Sequence, residues 1–253
     1  MKTTLLSFLL CFLAASAFAG DGAVSLSPAV ITLRGEAGQS TTQTLVLRNG
    51  TSRTLTFDVV AQDVVVRDGQ RAFAQAGSIA ASIAATAVFS QRRVVVASGD
   101  SAAVTVTLTI PPNAANRAVV ALFRGTDKFM NGRMPSTASL GSLLTFALSD
   151  AVTMAADPMR VAPQSSTSNL AVAQTCVNSG SEPLVARGML AVIDAHGALA
   201  GKAALAPRRL LPGERAELAT EYAGELAPGH YRLLVTYDYE GHALTQSSEI
   251  DVQ

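Results

Sequence analysis

The segment AVTVTLTI at 103–110 alternates small or branched apolar side chains with threonines, and TTQTLVLR at 41–48 runs in the same manner. Valine, isoleucine and threonine are stiff at the first side-chain torsion and favour extended backbone. A period of two puts the apolar side chains on one face, which describes a half-buried antiparallel strand. Turn residues bound these runs. Asn49-Gly50 follows the first, Gly99-Asp100 precedes the second, and Pro111-Pro112 ends it because neither proline can donate to a ladder. Residues 93–96 read as a further strand. Residues 55–66 (LTFDVVAQDVVV) read as a strand pair or one long bent strand, stopped by Arg67-Asp68-Gly69, where Asp-Gly offers a tight hairpin turn. Residues 72–87 break the pattern: they are alanine-rich, with Ile79 and Ile83 at helical spacing, but Gly77 and the lack of strong caps predict a long connection with one helical turn.

Further strand-like segments cover 170–177, 184–194, 215–222, 229–239 and 242–252. Asp194-Ala195-His196-Gly197, Pro212-Gly213, Pro228-Gly229 and Glu240-Gly241 supply turns between them. Short strands recurring every ten residues or so predict an all-β chain of two tandem sandwiches. The composition changes between Asp157 and Asn169, where DPMRVAPQSSTSN carries two prolines and a serine-threonine cluster. A domain boundary is expected there, giving a first domain at 20–158 and a second at 159–253.

Lys2, the apolar run 5–13 and Ala17-Phe18-Ala19 before Gly20 have the form of a cleaved signal peptide at 1–19. Export to the periplasm is the expectation, with secretion or the cell surface as the alternative. The apolar run is too short to span a bilayer and no later run approaches about eighteen apolar residues, so membrane insertion is not expected. Leu10 before Cys11 argues against a lipid anchor. Removal of 1–19 leaves 234 residues, room for two domains, with 18 basic and 19 acidic side chains. That balance provides no basic stripe for nucleic acid. Cys176 is then the one remaining cysteine and has no intramolecular partner; it reads as a small buried hydrophobe or, alternatively, as half of an intermolecular bridge.

Catalytic patterns are missing from the sequence. It has no Gly-x-Ser-x-Gly elbow, no Ser-x-x-Lys at a helix start, no Cys-x-x-Cys, no phosphate-cradling loop and no aspartate-rich calcium loop. His196, His230 and His242 all read as turn residues, the alternative being a shared metal site, though no pair has the spacing of common zinc ligands. An enzyme would have to use these histidines with Asp194, so a non-enzymatic protein without cofactor or metal is expected. Aromatic residues make up 5% of the chain and tryptophan is absent, which disfavours a stacking platform for sugars or bases. Asn49-Gly50-Thr51 fits both a glycosylation acceptor and a hairpin turn, and the turn is the preferred reading.

The first domain also has a distinctive order of features. VSLSPAVITL (24–33) is followed by Gly38-Gln39-Ser40, the strand TLVLRNGTSRTLTFDV, then RRVVVASGDSAAVTVTLTIPP, RAVVALFRG (117–125) and SLLTFALSDAVTMAADP (142–158). This order resembles the amino-terminal domain of PapD-like periplasmic pilus-assembly chaperones. The resemblance covers nearly all of the first domain and, in length and strand order, the second. It implies two immunoglobulin-like sandwiches set at an angle and a role in pilus or fimbria assembly. The implied partners are exported pilin-like subunits, with an outer-membrane assembly platform as a second partner. It also implies that the last strand of the first domain completes a subunit lacking its own final strand, through Leu144, Phe146, Leu148 and Val152. The cleft arginine and lysine of that family fall at Val30 and Thr153 here, with Arg34, Lys128 and Arg160 as the nearby cations.

Residues 142–149 can be read in two ways. Leu144, Phe146 and Leu148 could face the first domain's own core, leaving Leu143, Thr145, Ala147 and Ser149 outside, or they could form an apolar ridge presented to a partner. The second reading makes the chain a chaperone-like component of fibre assembly. Its alternative is a non-catalytic structural or adhesive envelope protein whose sandwiches act as spacers.

Overall fold

The structure is a computed structural model describing residues 23–131, 134–162 and 169–252. The expected leader at 1–19 lies outside these residues. The first unit is built from β1 (Val24–Ser27), β2 (Val30–Arg34), β3 (Ser40–Asn49), β4 (Leu55–Arg67), β5 (Gln70–Gln75), β6 (Val88–Phe89), β7 (Arg93–Val96), β8 (Ser101–Thr109), β9 (Ala118–Gly125), a small hairpin β10 (Phe129–Asn131) and β11 (Met134–Ser136), and β12 (Ser139–Ala147). One sheet has the order β1-β3-β8-β6; the facing sheet runs β2-β12-β9-β4-β5, with β7 also on β4. These are the two sheets of an immunoglobulin-like sandwich. The first edge is shared between them, since β1 pairs with β3 and, past the Ser27-Pro28 bond, β2 pairs in parallel with β12.

The alternating sequence explains the core. Leu45 and Leu47 of β3, Val104, Val106 and Leu108 of β8, and Phe57 and Val59 of β4 are all buried in one cluster between the sheets. Of the two readings for 55–66, the single strand is the one observed: residues 55–58 pair with β7 and residues 62–67 with β5. Asp68 and Gly69 both have positive φ, 52° and 76°, and Arg67 lies opposite Gln70. That is a two-residue type I′ hairpin, whose twist matches the flanking strands.

The alanine-rich stretch differs from expectation at its start, because 70–75 forms β5 before a single 3-10 turn at Ala84–Thr86. A buried carboxylate fixes the rest. Asp63 accepts hydrogen bonds from Ser82 Oγ, the Ala84 amide and Asn116 Nδ2, while Ile83 enters the core. These long-range contacts leave no sequence period to read.

The second unit contains β13 (Met154–Ala156), β14 (Arg160–Ala162), β15 (Leu170–Asn178), β16 (Leu184–Asp194), β17 (Leu199–Leu210), β18 (Arg215–Tyr222), β19 (Gly229–Tyr239) and β20 (His242–Val252). Its sheets are β13 and β14 with β15 and β18, and β17-β16-β19-β20. The all-β architecture of two immunoglobulin-like sandwiches expected from the sequence is therefore present.

Three details are corrected. Met154–Ala156 already pairs with β15 and Met154 lies in the second core, so the crossing between units falls between Ala147 and Met154, ahead of the expected boundary at Pro158. β17 escaped the sequence reading because it is alanine-rich and contains Pro207; the proline sits where the ladder to β16 skips register, between the Ala186–Arg208 and Gly188–Leu205 pairs. His196 is in a turn, but His230 and His242 lie within strands.

Two buried glutamates of the second unit hold arginines of the first. Glu182 accepts from Arg117 Nε at 3.1 Å and also from the Leu148 amide and Ser149 Oγ. Glu214 accepts from Arg71 Nε at 2.9 Å and from the Leu211 amide. Between these ion pairs, Leu211 packs on Val64, Ala118 and Val120 of the first unit.

Candidate partner-binding edge

β12 determines what the first unit can offer a partner. Leu144 and Phe146 are 0% exposed and lie in the first core, facing the opposite sheet. Leu148 follows the end of β12 and packs partly on the same core, whereas Val152 packs partly on the second core. The exposed ridge expected from Leu144, Phe146, Leu148 and Val152 is therefore absent, and the core-facing reading is the one observed. The physical reason is the pleat. Even-numbered residues of β12 point inward, and Leu140 and Ser142 continue that face. Outward-facing Leu143 does not stand free either, since it packs on the small cluster around Leu211.

The backbone of β12 is only half covered. Toward β9, the Gly125 amide donates to Ala138 O and the Phe146 amide to Arg117 O, so even-numbered residues bond to that neighbour. By the alternation of an antiparallel ladder, odd-numbered residues present their N–H and C=O to the other side. There the Leu143 amide donates to Ala29 O, and β2 covers 143–147. Ser139 and Gly141 lie ahead of that cover, and among the described residues no strand is paired with them on that side. This stretch is an open strand edge of the kind that accepts another chain. It carries no bulky outward side chain, since the outward residues are Ser139 and Gly141.

The face beside this edge belongs to the cleft between the units. Val30 is 48% exposed and lies opposite Leu143, so the position implied for a first-strand arginine is occupied by an apolar side chain. Thr153 is in the crossing to the second unit, where its carbonyl accepts from the Ser179 and Gly180 amides. Cations nonetheless reach the cleft from other positions. Arg34 ends β2 and its Nη1 lies 2.6 Å from Asp150 Oδ1, in a recess that Pro183, Glu240 and His242 of the second unit also line. The hydrogen bond from Arg34, reinforced by its charge, holds the Asp150 carboxyl below the usual carboxylate range. That contact therefore persists as pH falls to the ordinary carboxylate value and is lost only below it.

Arg209 crosses from the second unit to donate to Thr145 Oγ1 at 3.2 Å. Burial lowers its pKa, Glu240 opposes that shift, and neighbouring Arg71 and Arg187 add to it. Sequence reasoning missed Arg209 because nothing in the composition of β17 relates it to β12. Of the cations named from the sequence, Arg160 instead pairs with Glu217 within the second unit.

His230 Nδ1 contacts Asp251 Oδ1 at 3.0 Å on an exposed face, and His242 stacks on Tyr239. Among the described residues no group of three metal-ligating side chains is assembled. Cys176 is fully buried, and burial raises its thiol pKa.

These features define a class: a two-sandwich protein with an open strand edge beside an interdomain cleft. Neither a family model nor a curated protein matches the sequence. Among solved structures, the chain is similar to the class 5 fimbriae chaperone CfaA at 10% identity and a TM-score of 0.46, covering 89% of this chain and 99% of that one. It is similar to a chain of the CsuC–CsuE chaperone–tip adhesion subunit pre-assembly complex of Acinetobacter baumannii at 10% identity and a TM-score of 0.44, covering 91% and 99%. For the E. coli chaperone DraB the identity is 12% and the TM-score 0.43, covering 92% and 99%.

Proposed function

We propose that the protein is an exported, non-enzymatic chaperone-like component of pilus or fimbria assembly that binds pilin-like subunits by strand addition. The observation carrying this reading is the half-covered edge of β12, where Ser139 and Gly141 direct backbone groups away from β9 beyond the reach of β2. An extended segment added there gains main-chain hydrogen bonds and lies in line with β2, which already covers 143–147. The resemblance in feature order across 24–158 supports the choice of partner. Leu144 and Phe146 have no contact role in this mechanism; they hold the strand that presents the edge. Arg209, anchored on Thr145, is the cleft cation that would meet a subunit's carboxylate.

The test is affinity purification of the tagged mature protein from its native envelope, wild type beside Ser139→Pro, with mass spectrometry of bound chains. Proline at 139 removes an amide on the open side and leaves the ladder to β9 intact. The expected outcome is capture of an exported β-rich subunit by wild type and its loss in a variant with an unchanged melting temperature. Capture by both proteins would refute binding at this edge, and capture by neither would favour the structural or adhesive alternative.

A further inference from the structure

The uncovered stretch of β12 is short. Ser139 and Gly141 present backbone groups there, and β2 takes over from Leu143 onward. β12 itself begins at Ser139, so the ladder is not prolonged in the other direction. Strands typically run for about five or six residues. A segment of that length added at the open positions therefore meets the start of β2 on the same side of β12.

β2 is lightly held. It ends its sheet, and among the described residues β12 is its single paired neighbour. Val30, Thr32 and Arg34 are exposed, while Ile31 and Leu33 are half-buried against the first core. β1, by contrast, is anchored through buried Leu26 and its pairing with β3. Beyond its ladder, β2 is tied by Ser142 Oγ, which donates to Pro28 O at 2.7 Å, by Thr145 Oγ1, which donates to Ile31 O at 3.3 Å, and by the exposed Arg34–Asp150 pair. A parallel ladder is slightly weaker per residue than an antiparallel one, and an exposed ion pair contributes little.

We propose that β2 is a displaceable cover of the binding edge: an incoming segment pairs first with Ser139 and Gly141 and then replaces β2 along 143–147. The structure also sets the chemistry of that segment. Ile31 and Leu33 lie opposite Leu144 and Phe146, so the replacing strand carries apolar side chains at two alternate positions to refill the places they leave beside the core. β12 keeps its pairing with β9 throughout, and Leu144 and Phe146 stay in the core. This inference rests on strand addition at β12 and adds how a two-residue opening becomes an edge of ordinary length.

The probe is a fluorescein-labelled peptide copying residues 25–35 with alanine in place of Pro28, so that it runs straight along 139–147; its binding to the full mature protein is followed by anisotropy. Val30 and Leu143 are paired residues and Cys176 is fully buried, so Val30→Cys with Leu143→Cys gives a protein in which oxidation locks β2 and reduction frees it. The oxidised form is expected to bind the peptide at least about tenfold more weakly than the same protein reduced. Ser142→Ala, which removes one tie on β2, should tighten binding at least about threefold, and Ser139→Pro should weaken it. Equal binding by the oxidised and reduced forms, or no gain from Ser142→Ala, with Ser139→Pro still weakening binding, would overturn displacement of β2 and leave strand addition standing. Insensitivity to Ser139→Pro, or no binding at all, would overturn strand addition at this edge and this inference together.

Discussion

Phe146 shows how one side chain can be legible in kind and ambiguous in direction. Alternation identifies a strand with one apolar face, but that face serves equally as a core or as a contact surface, and only the opposing sheet decides between them. With Phe146 at 0% exposure, Phe146→Ala should lower the stability of the first sandwich by about 3–5 kcal/mol, read from urea unfolding. A loss under about 1 kcal/mol would mean that the ring is not in the core. Asn49 is a second case in which distant partners decide what a local pattern leaves open. Its amide donates to the carbonyls of Arg53, Val96 and Ala97 while Oδ1 accepts from Thr51, and the expected hairpin at Asn49-Gly50-Thr51 is corrected, because the chain crosses here from β3 in one sheet to β4 in the other.

At the scale of elements, strands with strong alternation or firm turn residues were readable. β18, β19 and β20 begin and end where the sequence places them, because Pro-Gly and Glu-Gly turns bound them. The short β13 and β14 and the proline-containing β17 were not, since their extended state is imposed by pairing with β15 and β16. The candidate site belongs with this second group. No pattern in SLGSLLTFA announces that β2 covers one half of β12 and leaves the other open, for this depends on where the chain crosses between sheets after Pro28. Hydrogen exchange followed by NMR offers a direct reading: the Ser139 and Gly141 amides should exchange at least about a hundredfold faster than those of Leu140 and Ser142. Equal protection along 139–142 would mean that the edge is covered.

For the whole molecule, the relation between the sandwiches depends on charges that sequence alone leaves unpaired. Glu182 and Arg117 are both largely buried, with side-chain exposures of 2% and 14%, and Glu182 also holds the crossing through Leu148 and Ser149. Removing one partner leaves an uncompensated charge, so Glu182→Ala should cost about 3–5 kcal/mol and broaden the distribution of interdomain distances. Differential scanning calorimetry and small-angle scattering would record both effects. An unchanged melting profile with an unchanged scattering curve would show that Leu211 and the Arg71–Glu214 pair suffice.

The most direct measurement of the central claim is site-specific photo-crosslinking in the native envelope, with a photoreactive amino acid at Ser139 and, as a control, at Val95 on the exposed face of β7, where it is 62% accessible. Strand addition at the open edge predicts an adduct between position 139 and an exported β-rich subunit, and none at position 95. Adducts at 95 alone, or none at 139 while the subunit is present, would contradict it.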